Sequence, residues 1–338
     1  MRKTIIALLG VALAVFAAGG SRSASAQPLE FKVSVFTPPV NPFSVEMERI
    51  GKAIYDRTKG EVKLNIFHAS QMGPPPRQFD LVRTGVADIA VVFHGLTPGR
   101  FPMTELAELP ALLGGVGYPA AMAMQDLLPE YLAAEHPGVK VLDFAITPNP
   151  VLMLRSDAAS LAALKGKRIR HPGPVHSATV AALGAVPVLV QPFEMAEALA
   201  RGQIDGAVTG TGGAVSFKLQ DSAKFMLEMP MGRLTNAVVM NPAAYAKLSG
   251  EQKAIFDEYF GPKGQQAWGR MLDRSEASDR DILIKDGVKP IALDPQNLAE
   301  FNTIAATLQK TAVADLEKKG LPASAHFEKL KMQIAKYQ

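Results

Sequence analysis

The stretch "LARGQIDGAVTG", residues 199–210, has a near double at residues 81–92, "LVRTGVADIAVV". Both contain Gly-X-X-Asp-X-Ala, beginning at Gly85 and at Gly202, with an arginine just upstream. Each follows an amphipathic run and leads into a short apolar segment. Glycine accepts positive φ without a Cβ penalty and so ends helices well. The phrase therefore reads as helix, glycine stop, aspartate turn and buried strand. Written twice, more than a hundred residues apart, it predicts two similar lobes, with the Gly and Asp as structural devices in each.

The flanking sequence extends both units. "EFKVSVF", 30–36, alternates as a strand does, and "TPPVNP" breaks it. From Asn41, apolar residues at Phe43, Met47, Ile50 and Ile54 share one helical face, and Gly60 is a stop. "EVKLNIF", 61–67, is a second strand, and a helix through Phe79 and Val82 reaches Gly85. "DIAVVF", 88–93, is almost continuously apolar, as expected of a strand covered on both faces of a parallel sheet. The second unit repeats the alternation: strand 167–170, a helix stopped at Gly184, "VPVLVQ" as strand, "FEMAEALARG" as helix, "IDGAVT" as strand. The fold class is α/β. Then "NAVVMN", 236–241, reads as a strand returning to the first unit. Ser249 and Gln252 form a capping box, and Gly261-Pro262 breaks the helical run that follows. "VKPIALD" is a late strand, and Leu298, Phe301, Ile304 and Leu308 mark a late helix. A chain that crosses between lobes several times predicts a hinge around a central ligand cleft.

The 338 residues suffice for two domains, and 48% hydrophobic with 20% charged residues describes a globular chain. The start, "MRKTIIALLGVALAVFAAGG", has Arg2 and Lys3 ahead of an apolar core, and "SASA" with Ala24 and Ala26 is placed for cleavage before Gln27. Residues 1–26 are therefore expected to be a cleavable export signal. They carry Arg2, Lys3 and Arg22 and no acid, so without them the net charge falls from +4 to +1. No lysine- and arginine-rich face for nucleic acid stands out. Without cysteine, disulfides, thiolate chemistry and a lipid anchor at the cleavage site are excluded. No Gly-X-Ser-X-Gly, phosphate loop or His-Glu-X-X-His occurs, so no enzyme is expected. His171 and His176 in "HPGPVH" have proline and glycine between them and no nearby acid, so neither a metal nor a cofactor is expected. "FMLEMPMG", 225–232, reads as methionine core filler.

Several phrases occur together in a known order: "GEVKLNIFHASQMG", "LVRTGVADIAV", "FPMTELAELPAL", "LKGKRIRHPG", "GAVPV" with "ALARGQIDGA", and "VVMNPAAYAKLSGEQKAIF". They resemble the solute-binding proteins of tripartite ATP-independent periplasmic (TRAP) transporters, of the dicarboxylate-binding type. The resemblance implies a two-lobed periplasmic binding fold, capture of a small carboxylate in the periplasm, and delivery to one small and one large membrane subunit. The expected division is 27–146 with 236–272 as lobe I, and 147–235 with 273–338 as lobe II. A monomer is expected.

In that family the arginine ending the phrase matched here by "KGKRIRHPG" holds the ligand carboxylate, which implies that role for Arg170. A guanidinium offers a rigid fork for a carboxylate. Arg168, two residues earlier on the same strand face, is the weaker rival. Many members follow the "DG" turn with Glu-Asn-Pro; here "DGAVTGTGGAVS" puts Thr209 and Thr211 in a glycine-rich turn whose hydroxyls could replace the amide. A second arginine found in some members is not evident in "TPNPVLML". Phe36, Phe93 and Phe193 are expected as aromatic walls, and His94 and Asn236 as polar contacts. A single matched arginine argues for an apolar or aromatic monocarboxylate, since a second charge would be buried unpaired. The alternatives are a C4-dicarboxylate, or a ligand-sensing or binding subunit of another system.

Overall fold

The computed structural model describes residues 27–338; the expected export signal lies outside them. Eleven strands are described: β1 (Leu29–Ser34), β2 (Val62–Phe67), β3 (Ile89–Phe93), β4 (Lys140–Ile146), β5 (Val151–Leu154), β6 (Arg168–His171), β7 (Val186–Leu189), β8 (Gly206–Thr209), β9 (Phe225–Glu228), β10 (Thr235–Met240) and β11 (Lys289–Ala292). The helices are α1 (Pro42–Arg57), α2 (Gln78–Arg83), α3 (Tyr118–Leu127), α4 (Pro174–Ala182), α5 (Met195–Ala200), α6 (Thr211–Ser216), α7 (Pro242–Ala246), α8 (Gly250–Phe260), α9 (Pro262–Lys285), α10 (Pro295–Lys318) and α11 (Ala323–Tyr337).

The strands form two sheets, in the orders β2-β1-β3-β10-β4 and β11-β9-β5-β8-β6-β7. The repeated phrase does the same work in both. Gly85 and Gly202 end α2 and α5 with φ of 75° and 67°. The Asp88 carboxylate then accepts from Lys32 N on β1, and the Asp205 carboxylate from Arg168 N on β6, each at 2.8 Å. In return, the two aspartate N–H groups donate to the carbonyls of Lys32 and Arg168. Each aspartate thus joins its own strand to the parallel neighbour.

The sheets are not purely parallel. β10 runs antiparallel to β3 and β4, and β5 antiparallel to β8 and β9. These are the strands by which the chain enters each lobe after crossing from the other. The two crossings are stitched together: Thr147 N donates to Leu234 O, and Leu234 N donates to Thr147 Oγ1 at 3.0 Å.

Each sheet is covered on both faces. The α1 face of Phe43, Met47, Ile50 and Ile54 is wholly buried on one side of the first sheet, with Trp268 and Leu272 of α9. The other side packs on α3 and α11 through Met124, Phe327 and Leu330. Met226, Met229 and Met231 fill the core of the second lobe. Two helices of 24 residues belong to both lobes. α9 buries Trp268 against the first sheet and Leu283 against the second. α10 buries Phe301 against the second sheet and Leu316 in the first lobe's core. The expected division therefore needs correction: its boundary at 272 falls inside α9, and α11 packs on the first lobe. Hydrophobic periodicity finds a helix but does not say which sheet it covers.

Candidate functional site

A cavity lies between the carboxyl ends of the parallel strands of the two sheets, where open α/β sheets hold ligands. It encloses about 690 Å³ of empty space, its mouth included. The first lobe supplies Phe36, just past β1, Phe43 at the start of α1, and Phe93 at the end of β3. Their rings form one edge-to-face group, with Phe36–Phe93 centroids 5.1 Å apart and Phe43–Phe93 4.9 Å. Leu96, Leu234, Leu272 and Pro148 extend the apolar wall. The second lobe supplies Arg170, Pro172, Pro192, Met195, Thr209, Thr211 and Phe217.

Arg170 is the one ionisable side chain in this lining among the described residues. It is 2% exposed. Nε donates to Val190 O at 3.0 Å and Nη1 to Val208 O at 2.8 Å, which fixes the guanidinium against the strand ends. Burial pushes its pKa down to about 9, and no carboxylate faces it among the described residues. A guanidinium has five N–H donors, so Nη2 and one Nη1 hydrogen remain unspent among the described residues. They form the end-on fork that accepts a carboxylate bidentately. Arg168 is occupied elsewhere. It forks onto Asp205, with Nη2–Oδ1 at 2.9 Å, and donates to Gly202 O. The repeated aspartate of the second lobe thus engages the rival arginine.

Thr209 ends β8, and Thr211 begins α6 with an unpartnered hydroxyl, among the described residues. Gly213, beyond them, serves space: a Cβ on it would come within 2.5 Å of Thr209 Oγ1. Asn41, which sequence reasoning did not single out, spans the cleft. Its Oδ1 caps α1 at Phe43 N, while Nδ2 donates to Ser216 Oγ at 3.1 Å and Gly212 O at 3.4 Å in the other lobe. The bridge uses the donor that an aspartate cap would lack.

Three expected contacts lie elsewhere. His94 does not line the cavity: successive strand side chains alternate in direction, so with Phe93 inward His94 turns to the opposite face. There it is buried, with Nδ1 2.9 Å from Thr235 Oγ1 and Nε2 3.3 Å from His136 Nε2. Phe193 is 54% exposed and points away, while its neighbours Pro192 and Met195 face the cavity. Asn236 is wholly buried behind the lining, beside Phe93. A second buried arginine does exist, Arg233, but it donates to the carbonyls of Thr147 and Gly115 outside the cavity. Phe43 was missed as a wall because its spacing is that of a core helix face, and it serves as both. His171 Nδ1 faces Gly173 O, and His176 Nε2 faces Gly232 O.

The lobes also touch behind the cavity. A Cβ on Gly173 would lie 2.7 Å from Gly95 Cα and O, so two glycines meet without room for a methyl group. Next to them, Glu108 of the first lobe and His176 of the second are both fully buried, with Oε2 and Nδ1 3.8 Å apart.

Two sheet-bearing lobes joined by crossing strands, with a cavity between facing strand ends, define a solute-binding protein. The chain belongs to family 7 of the bacterial extracellular solute-binding proteins, whose model matches residues 33–315, and is a solute-binding protein of the TRAP type. A marine metagenome TRAP solute-binding protein specific for aromatic acid ligands, solved with 3-hydroxybenzoate, is 28% identical. The match covers 93% of this chain and 100% of that one, with a TM-score of 0.87. A Bordetella bronchiseptica TRAP protein with bound (R)- and (S)-mandelate is 26% identical, covers 92% and 100%, and has a TM-score of 0.82. The 2,3-diketo-L-gulonate-binding periplasmic protein YiaO of Escherichia coli is 26% identical over 87% of both chains.

Proposed function

We propose that this protein captures an aromatic monocarboxylate in the periplasm and delivers it to the small and large membrane subunits of a TRAP transporter. The observation that carries the reading is Arg170, a buried cation without a counterion, alone in a cavity otherwise walled by Phe36, Phe43, Phe93 and apolar side chains. The carboxylate takes the open fork, and Thr209 and Thr211 lie beside it. The ring enters the edge-to-face group, where an offset or T-shaped approach adds to simple burial. The aromatic acids held by the metagenome and Bordetella proteins support this ligand class. A C4-dicarboxylate would strand its second charge, because no cation besides Arg170 lines the cavity among the described residues. Among the described residues the cavity lining carries no nucleophile–base pair, and its chemistry is that of capture and release. Residues 1–26 serve as the export leader.

Titration calorimetry with benzoate, 3-hydroxybenzoate and mandelate against succinate, malate and 2,3-diketogulonate tests this. Binding of the aromatic acids at micromolar or lower Kd, with the others at least a hundredfold weaker, is the expected result. Tighter binding of a dicarboxylate or of the sugar acid would overturn it.

A further inference from the structure

Behind the aromatic wall the structure leaves a side-chain amide without a partner. Asn236 is wholly buried, and neither Oδ1 nor Nδ2 has a hydrogen-bond partner among the described residues. An amide buried this way loses its water without compensation.

The register fixes where it sits. Asn236 stands directly opposite Phe93 on β3 and Ala145 on β4. Cross-strand partners share a face with their Cβ atoms about 5 Å apart, and Leu234, two residues earlier, also faces that way. Phe93 and Leu234 both line the cavity. The amide thus lies against the base of the aromatic wall, with only the small Ala145 on its other side. A second orphan shares this core: Trp268, packed on Phe43 at 5.9 Å, has an unpartnered Nε1–H among the described residues. Arg170 is across the cavity on the other lobe. A ligand whose carboxylate is on Arg170 therefore directs the far edge of its ring toward Phe93 and Leu234, and a turn of either side chain opens the way to the unsatisfied donor–acceptor pair behind them.

From this, and resting on the aromatic-acid reading above, we infer that the preferred ligand carries a ring hydroxyl at the meta or para position and that Asn236 reads it. A hydroxyl both donates and accepts, so it satisfies Oδ1 and Nδ2 in turn; an unsubstituted ring satisfies neither. A site built for a hydroxyl discriminates strongly against the analogue lacking it. Asn236 is a specificity-determining residue in this account, and the two ends of the ligand are read by different lobes.

The test measures Kd for benzoate, 3-hydroxybenzoate, 4-hydroxybenzoate and their methyl ethers on the wild type and on Asn236→Leu, which is close to isosteric. In the wild type one hydroxy acid should bind roughly ten- to a hundredfold tighter than benzoate, the range of a buried hydrogen bond. Its methyl ether should lose that gain. In Asn236→Leu the gain should vanish while benzoate keeps its Kd within about threefold, the limit set for a purely local change. No hydroxyl gain in the wild type, a gain that survives in the variant, or an equal loss for all ligands would each overturn the inference. If the leucine variant does not fold, Asn236→Ser with the wild-type ether comparison decides in the same terms. Failure of every aromatic acid to bind would instead defeat the underlying reading.

Discussion

Arg170 shows how far a single residue can be read. Its phrase marked it in the sequence, and its isolation from any acid gives the mark a physical meaning. Arg170→Ala is expected to weaken binding of an aromatic acid by roughly 30- to 1000-fold, the loss of a buried charge-assisted contact of about 2–4 kcal/mol. Arg170→Lys should recover little, since an ammonium cannot hold Val190 O, Val208 O and a carboxylate from one plane. Calorimetry on both variants checks this, and near-wild-type affinity in either would remove the fork from the account. Arg168→Ala should leave Kd nearly unchanged and lower the melting temperature, because the Arg168 side chain ties β6 to Asp205 and Gly202 O. The other site residues were legible to different degrees. Phe36 and Phe93 could be placed from strand ends. Alternation alone could have separated Phe93 from His94, since neighbours on a strand do not share a face. Asn41 was read only as the point where a helix begins, and its role across the cleft depends on a lobe that no local pattern brings near.

At the scale of elements, the short turn of helix Thr104–Glu108 packs a chain of polar groups against β10. Glu108 Oε1 is 2.8 Å from both Thr235 N and Thr235 Oγ1. Thr235 Oγ1 meets His94 Nδ1, His94 Nε2 meets His136 Nε2, and His136 Nδ1 meets Leu132 O. The last carbonyl only accepts, so His136 donates there and presents a bare Nε2. His94 must then donate from Nε2 and accept at Nδ1, so Thr235 donates to it. With both histidines neutral, as their burial favours, every bond is satisfied when Glu108 carries a proton and gives it to Thr235 Oγ1. Burial acts in the same direction, pushing Glu108 up to about 7 from an ordinary 4.5 and holding His94 well below its usual range. Glu105 and Glu135, the acids nearest, are also pushed up by burial, while burial lowers His176 across the lobe boundary to about 4. The folded chain therefore keeps a proton on Glu108 that the unfolded chain releases. That contribution is whole below about pH 4.5 and is lost as the pH rises through about 7. Burial of His94 and His176 acts with the opposite sign, so the Glu108 contribution is read as a difference: between pH 5 and pH 8 the melting temperature of the wild type should drop relative to that of Glu108→Gln. An unchanged slope in the variant would place the proton elsewhere. None of this is legible in the sequence, because reading "NAVVMN" as a strand does not say that Thr235 and His94 meet, 141 positions apart in the chain. The alternation of strands and helices was legible because period and glycine stops are local. The antiparallel entry strands β5 and β10 were not, because direction within a sheet is a tertiary property.

For the whole molecule, α9 and α10 each anchor in both lobes, and the two crossing segments are bonded to each other. Such a frame bends at few places, so ligand should act by closing the lobes about a hinge. Small-angle scattering is expected to give a smaller radius of gyration at saturating ligand. Asn41→Asp should weaken binding, because it keeps the α1 cap and loses the donor to Ser216 and Gly212; an unaltered Kd would show that the bridge adds nothing to the closed form.

Gly95 and Gly173 already touch, with no space for a methyl group. The molecule therefore works as a caliper with a fixed end-stop. A ligand shorter than the gap cannot be gripped by further tightening, and a longer one must hold the jaws apart. Across benzoate, phenylacetate, 3-phenylpropionate and 4-phenylbutyrate, affinity should pass through a sharp optimum and not rise steadily with apolar area. Gly173→Ala, by resetting the stop, should move that optimum toward a longer acid.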